Sequence, residues 1–289
     1  MGYGDELMAT GIAKIQKKKN PDSQIVIGNY DKKIITQSVI FNNNPNIITD
    51  SKKIDPNLKL LFINNSPGNR PYFDMEKTIL KQRMIWDFQF KPTPGELYFS
   101  EKEIKKANQT INNAEIFWNS ISNKKHNGII FIETTSIKIN DPHFNFKHTN
   151  KDWGKTKWTE LIDRLKKKFL VIQSLHSNSV HYEGIFEFES SFREAAATMK
   201  MANLFLGPEG GFGHVAAAIN KPAVILFGGW IHPQSTGYDF HENIYIDIKG
   251  SPCGIYLHEC EHCKECMNII SVEMVEKSVN KNINKKINF

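Results

Sequence analysis

Residues 204–219, LFLGPEGGFGHVAAAI, carry the clearest structural signal in this chain. The apolar start, residues 204–206, is typical of a short buried strand, and the glycines after it predict a tight turn. The small residues that follow, from Val215 to Ile219, predict a helix. A strand that passes through a glycine-rich turn into a helix is the repeating unit of a parallel α/β sheet.

The same turn has the features of an anion-binding site. Backbone amides at the start of a helix are free to face a phosphate, and the helix dipole favours negative charge there. Gly210, Gly211 and Gly213 allow a ligand to approach the backbone closely. Glu209 can accept hydrogen bonds from sugar hydroxyls, and His214 can donate to a phosphate or sugar oxygen. The alternative interpretation is a tight strand–helix turn without a ligand.

Strands and helices alternate through the rest of the chain. Apolar runs predict strands at 25–27, 60–63, 129–132, 169–172 and 223–227, and helical spacing predicts helices at 104–121, 158–165 and 191–199. This order implies mainly parallel sheets with helices on both faces. The polar segment 122–127 separates two halves, which agrees with 289 residues at about 150 residues per domain.

Composition and charge exclude several classes of protein. Hydrophobic residues make up 40% of the chain and charged residues 24%, which excludes wholesale disorder. No apolar run approaches the roughly 20 residues that cross a bilayer, and the first residues lack a secretory signal pattern, so we expect a cytoplasmic protein. The net charge of +6 comes from scattered basic residues. We therefore expect no nucleic-acid partner, whereas peripheral association with an anionic membrane surface is compatible with this charge.

The central turn and the strand after it resemble glycosyltransferase family 9, the heptosyltransferase-like enzymes. That family carries a D-[ST]-G-x-x-H-x-x-A-A turn and a P-x-[VI]-x-[LI]-[FY]-G strand, which correspond to residues 207–219 and 221–229. Three further elements agree with the family: GDELMAT at 4–10, KDWGKTKWTELI at 151–162, and the cysteine-containing segment 252–275. The resemblance is close from about residue 128 to 279 and rests on one short motif before that.

The resemblance implies a GT-B fold, in which two Rossmann-like α/β domains with parallel sheets face a cleft. Residues 1–125 would form the acceptor-side domain, and residues 126–289 the nucleotide-sugar-binding domain with a C-terminal helix. The family has a strand before the G-D element, which here lies near residue 1, so we expect a short N-terminal domain that lacks its first strand, with a misassigned start as the alternative. Residues 136–150 look like an insertion, which we expect to form a flap over the donor.

The resemblance also implies a reaction. It is an inverting transfer of a sugar from a nucleotide-diphospho-sugar to a hydroxyl of a lipopolysaccharide or other surface glycan, at the inner face of the membrane. Two other functions fit the same sequence. One is a catalytically impaired nucleotide-sugar-binding protein, and the other is a Cys/His metal-binding interaction protein.

The resemblance also implies roles for individual residues. Asp5 would be the general base on the acceptor hydroxyl, and its alternative is a first-turn carboxylate that only stabilises a helix. Lys151 would pair with the diphosphate, and its alternative is a solvated lysine in a basic loop. The other nucleotide-sugar-binding residues would be Thr134, Thr135, Glu209, Gly210, Gly211 and His214. Since Glu209-Gly210-Gly211 replaces the family's Asp-[Ser/Thr]-Gly, the identity of the donor sugar does not carry over.

We expect no catalytic metal and no cofactor beyond the donor substrate. The helix-start amides, Lys151 and His214 could together stabilise the departing diphosphate. The sequence also has no motif resembling the D-x-D of metal-dependent transferases.

Four cysteines form a separate group near the end of the chain. Cys253, Cys260, Cys263 and Cys266 fall within 14 residues, with histidines among them, and this composition can bind zinc or iron. We favour reduced buried thiols, with a structural metal and a disulfide as the alternatives.

Overall fold

The computed structural model describes residues 2–66, 69–135, 149–177 and 179–287. Its helices are α1 (Tyr3–Lys19), α2 (Met75–Lys81), α3 (Glu101–Ile121), α4 (Lys155–Leu165), α5 (Phe192–Met201), α6 (Gly211–Ala218), α7 (Pro233–Thr236), α8 (Glu261–Ile269) and α9 (Val272–Asn282). Its strands are β1 (Gln24–Asn29), β2 (Ile34–Ile35), β3 (Leu60–Asn64), β4 (Ile129–Ile132), β5 (Leu170–Leu175), β6 (Phe186–Glu189), β7 (Leu204–Pro208), β8 (Ala223–Gly228) and β9 (Glu242–Tyr245). Residues 136–148, most of the expected insertion, lie outside the described residues.

A six-stranded parallel sheet organises the second half of the chain. Its strand order is β6-β5-β4-β7-β8-β9. Every residue of β4, β7 and β8 is buried, as expected for central strands of a parallel sheet that is covered on both faces. The last helix, α9, packs against α4 and the strands β7, β8 and β9. The parallel α/β fold predicted for this half is confirmed.

A smaller sheet, in the order β2-β1-β3, organises the first half. Strands β1 and β3 are parallel, with Ile25 opposite Leu61, whereas β2 runs antiparallel to β1. The chain turns back after Asn29 and reaches Ile34 in a few residues, too few for the crossover that a parallel neighbour needs. This sheet is therefore small and mixed, and α1 precedes all three of its strands.

Helix α3 lies within the expected N-terminal domain but packs against the large sheet. It contacts α5, β5 and β6 through a face that buries Ala107, Ala114 and Trp118. The division of the chain at 125/126 stays a prediction. Within the described ranges, none of the helices has both the length and the apolar character needed to cross a membrane.

Arg193, at the start of α5, connects three segments of the chain. Its guanidinium lies 2.6 and 3.0 Å from the two carboxylate oxygens of Glu103 on α3, and it donates to the carbonyls of Val39 and Tyr98. This pairing lowers the pKa of Glu103 to about 2. Arg193 itself is buried. Its hydrogen bonds hold α3, α5 and the loop beside the small sheet together.

Arg193→Met tests this contact. The variant leaves Glu103 and two carbonyls without their donor, so we expect the free energy of unfolding to fall by about 2–3 kcal/mol. The matched control is Lys106→Met, which removes the more exposed Lys106–Glu194 pair between the same two helices. That control should cost less than about 1 kcal/mol, and urea denaturation measures both changes.

The pH dependence of the free energy of unfolding distinguishes the contribution of the Arg193–Glu103 ion pair from that of packing. Because the folded state lowers the pKa of Glu103, the contribution of the pair is complete above about pH 5 and is lost as the pH falls towards 2. Arg193→Met should remove this part of the acid dependence. Equal losses for the two variants, or an unchanged acid dependence, would contradict the assignment.

Candidate functional site

The glycine-rich turn lies between β7 and α6, at the carboxyl edge of the large sheet. Gly210 precedes α6 with an extended backbone, and a Cβ atom there would meet no heavy atom within 4 Å. At Gly207, by contrast, a Cβ atom would lie 2.9 Å from the carbonyl oxygen of Glu133. Packing therefore requires glycine at 207 but not at 210, where the absence of a side chain leaves room beside the helix start.

A buried ion pair joins Lys151 to the turn. The Lys151 ammonium lies 2.7 Å from Oε2 of Glu209 and 3.1 Å from its carbonyl oxygen, and both side chains are buried. Burial opposes ionisation of Glu209, but the Lys151 cation outweighs it and keeps the pKa of Glu209 below its ordinary value. The solvated lysine considered from the sequence is therefore wrong for the described structure. Lys151 is a buried cation at the turn.

His214 lies buried in the first turn of α6. Its Nδ1 atom is 2.9 Å from the Tyr238 hydroxyl. Burial lowers the pKa of His214, although the nearby Glu209 carboxylate acts in the opposite direction. The imidazole is therefore neutral near pH 7 and acts as a hydrogen-bonding group rather than as a cation.

The start of α1 lies directly against the start of α6. A Cβ atom on Gly4 would lie 2.8 Å from Cδ2 of His214 and 3.4 Å from the Cα atom of Gly211. Only glycine at position 4 permits this approach without a shift of one helix. The contact places Asp5 next to the turn, although the two motifs are some two hundred residues apart in the sequence.

Asp5 has three polar partners. Its Oδ2 atom accepts from the Gly2 amide at 3.2 Å, and its Oδ1 atom accepts from the Tyr72 hydroxyl at 2.6 Å. A guanidinium nitrogen of Arg70 lies 3.6 Å away. The helix-capping interaction considered from the sequence is thus present, and two further groups orient the same carboxylate.

Thr134 and Thr135 follow β4 at the same carboxyl edge of the sheet. Both are buried, and the Thr135 amide donates to the Glu133 side chain at 3.1 Å. The Glu133 amide in turn donates to the Leu206 carbonyl at 3.0 Å, which fixes the end of β4 beside the strand that leads into the turn. The two threonines therefore border the turn, while Lys151, Glu209, His214 and Asp5 surround it.

The turn encloses little empty space. The cavity lined by Glu209, Gly210 and His214 measures about 10 Å³. A groove of about 670 Å³ lies between the start of α1, residues 39–49 and the start of α5. Its volume falls in the range of small-molecule sites, roughly 300–1,000 Å³.

Three aromatic rings connect this groove to the turn. Tyr3 lies 4.6 Å from Phe192 between ring centroids, and Phe192 stacks on Phe212 at 4.8 Å. Tyr3 is on α1, Phe192 on α5 and Phe212 on α6. The rings therefore form a continuous contact from the groove to the first turn of α6.

The sequence did not identify Arg70, Tyr72, Trp230, Thr236 or Tyr238 as site residues. Arg70 and Tyr72 orient Asp5, and Thr236 donates to Glu209 at 3.4 Å. The Trp230 ring lies 5.1 Å from the Lys151 ammonium. A signal for the first two was present, because they lie in a polar segment that follows a predicted strand.

The cysteines are all buried and free. The disulfide considered from the sequence is absent. Three of the thiols lie close to one histidine, and these four residues could hold a metal ion: Cys253, Cys260, His262 and Cys263. None of the four cysteines is among the residues described at the turn.

Comparison with known proteins supports the resemblance seen in the sequence. Residues 189–253 match the family model of glycosyltransferase family 9 (heptosyltransferase), a segment that includes Glu209 and His214. The fold is similar to that of a family 9 glycosyl transferase from Veillonella parvula, at 14% identity over 98% of this chain and 94% of that one, with a TM-score of 0.61. It is also similar to the iron-containing dodecameric glycosyltransferase TibC from enterotoxigenic E. coli, at 15% identity over 97% and 73%, with a TM-score of 0.57. The sequence matches no curated protein.

The buried ion pair predicts strong coupling between its two residues. Lys151→Met leaves a buried carboxylate without its cation, and Glu209→Gln leaves a buried ammonium without its anion. Each single variant should lower the free energy of unfolding by about 3–5 kcal/mol. The double variant should lose much less than the sum, because neither charge remains. Additive losses in urea denaturation would show that the two groups do not interact.

Proposed function

We propose that this chain, which is similar to glycosyltransferase family 9, transfers a sugar with inversion from a nucleotide-diphospho-sugar to a hydroxyl of a lipopolysaccharide or other surface glycan. The observation that carries the proposal is the contact between α1 and α6. This contact brings the Asp5 carboxylate of α1 beside the start of α6, next to the buried Lys151 and the neutral His214.

The donor diphosphate would bind at the turn. The free amides at the start of α6 and the Lys151 ammonium both attract negative charge, and His214 adds a hydrogen bond. A diphosphate competes with Glu209 for Lys151, since the two anions need the same cation. Glu209 would then accept hydrogen bonds from hydroxyls of the donor sugar, and Thr134 and Thr135 would contact the phosphates from the end of β4.

The acceptor would be activated by Asp5. The carboxylate takes the proton from the acceptor hydroxyl, and the hydroxyl oxygen attacks the anomeric carbon on the face opposite the diphosphate. The bond between the anomeric carbon and the diphosphate oxygen breaks, and the departing charge is stabilised by Lys151, His214 and the helix-start amides. Tyr72 and Arg70 hold the carboxylate in place for this step.

The same proposal assigns a role to each half of the chain and a location to the protein. Residues 1–125 would present the acceptor-side carboxylate and residues 126–289 the donor site. The chemistry at the turn would need no catalytic cation, because the groups named above already supply positive charge and hydrogen-bond donors. A cytoplasmic location, with peripheral contact at the inner face of the membrane, would give access both to nucleotide-sugars and to a glycolipid acceptor.

Asp5→Asn tests the general base. The amide cannot take the proton of the acceptor hydroxyl, so turnover should fall by about 10²–10⁴-fold while donor affinity stays the same. The rate of donor consumption, with a glycan acceptor or with water, measures turnover, and calorimetric titration measures affinity.

Glu6→Gln is the matched control for this variant. Glu6 is a buried carboxylate in the same helical turn, but it accepts from Ser38 and not from Tyr72 or Arg70. This control should keep turnover close to that of the unmodified chain. Unchanged turnover in Asp5→Asn would rule out the role of Asp5.

His214→Ala tests the donor site. Loss of its hydrogen bond should weaken nucleotide-sugar binding by about 10-fold. His241→Ala is the control, because His241 is also buried and also packs against Tyr238, but it does not lie at the start of α6. If both variants bind the donor as the unmodified chain does, the diphosphate does not contact His214.

A further inference from the structure

Four potential metal ligands meet in one place outside the glycine turn. Cys253 lies in the loop before α8, Cys260 immediately precedes that helix, and His262 and Cys263 lie in its first turn. We refer to these four residues as the cysteine cluster. Its three cysteines are buried, and His262 is half-buried at the edge.

The distances within the cluster suit a single small cation. One potential ligand atom from each of the four residues lies within 4.8 Å of the others. The Sγ atoms of Cys253 and Cys260 are 3.7 Å apart, close to the separation of about 3.8 Å that two thiolates have in a tetrahedral zinc site. The Sγ atoms of Cys253 and Cys263 are 3.0 Å apart, too far for a disulfide bond. Binding a cation would move this pair apart by about 0.8 Å.

The surroundings hold the ligands in position. The Asn150 side chain accepts from the Cys260 amide at 3.0 Å and donates to the Ile255 carbonyl at 3.0 Å. The Ser251 hydroxyl lies 3.2 Å from Nε2 of His262. Thiols are weak hydrogen-bonding groups, so the contacts of these three with one another add little as hydrogen bonds, whereas a cation between them would bind all three.

We propose that the cysteine cluster binds one thiophilic divalent cation, Zn²⁺ or Fe²⁺, as a structural site closed by Cys253, Cys260, Cys263 and His262. Three thiols lose their protons to solvent on binding, and the imidazole binds in its neutral form. Three sulfur ligands and one nitrogen complete a tetrahedral set, which leaves no open position for a substrate.

The bound cation would brace the loop that supports Lys151. Asn150, which precedes Lys151 in the chain, contacts the cluster directly. The loop that carries Cys253 is itself held by the Cys253 amide, which donates to the Gly229 carbonyl, and by the Trp230 indole, which donates to the Ile255 carbonyl. The cation would therefore act on the turn only through Asn150 and this loop.

Metal analysis of the full chain tests the proposal. After anaerobic purification from cells supplied with zinc and iron, elemental analysis should find one zinc or iron ion per chain, and the ratio of the two metals identifies the ion. Replacement with Co²⁺ should give the absorption bands of a tetrahedral thiolate site. Removal of the metal should lower the melting temperature, since the cation binds the folded state.

Variants identify the ligands. Cys260→Ser and Cys263→Ser should lose the metal, whereas Cys266→Ser should keep it. Cys266 is the matched control because it lies on the same helix and is equally buried, but it is not among the four clustered residues. If the two ligand variants do not fold, His262→Ala keeps the test open. This half-buried residue can be replaced with less damage, and the variant should release the metal to a chelator faster than the unmodified chain.

Several results would overturn the proposal. They are a purified chain without stoichiometric metal and without Co²⁺ uptake, ligand variants that keep the metal, or a Cys266→Ser variant that loses it. None of these measurements uses a nucleotide-sugar. A failure of the metal site is therefore distinguishable from a failure of the proposed transferase activity.

Discussion

The site depends on the close approach of α1 to α6. Gly4 allows the two helix starts to come within van der Waals contact, and any side chain there would collide with His214. The contact joins a residue of the short N-terminal motif to the turn of the large sheet. Asp5, Tyr72 and Arg70 thereby lie beside the groups that could hold a diphosphate. A wider separation of the helices would leave a carboxylate on one side of a cleft and an anion site on the other.

Charge compensation is the second constraint on this region. A lysine and a glutamate buried together are tolerated because they pair, and the pairing lowers the pKa of Glu209 against the opposing effect of burial. Under the proposed function, the same lysine would also pair with the diphosphate of the donor. The neutral His214 adds a hydrogen bond without adding a buried charge. The proposed donor site is therefore polar, with its buried lysine and glutamate charges paired.

The sequence predicted the four inner strands of the large sheet, β5, β4, β7 and β8, because their signals are local, but its two edge strands, β6 and β9, were not predicted. β4 is a run of four apolar residues, and the turn at 207–213 is marked by its own glycines. The short edge strand β2 was not predicted, since two residues carry no periodicity. The Lys151–Glu209 pair was also missed, because 58 residues separate its members and no pattern in either segment points to the other. For Asp5 the sequence offered two alternatives, a general base and a first-turn carboxylate; the capping contact is present, and the role as a base stays a prediction. Only the fold reveals Tyr72 and Arg70 around this carboxylate.

The central claim is that a nucleotide-diphospho-sugar binds at the turn between β7 and α6. The most direct measurement is the melting temperature of the full chain against a panel of ADP-, GDP-, UDP-, CMP- and dTDP-sugars. A ligand at 100 times its Kd stabilises the folded state by about 2.7 kcal/mol, which is a shift of several degrees. The account predicts such a shift for at least one nucleotide-diphospho-sugar. A folded protein whose melting temperature stays the same across the whole panel at millimolar ligand would contradict it.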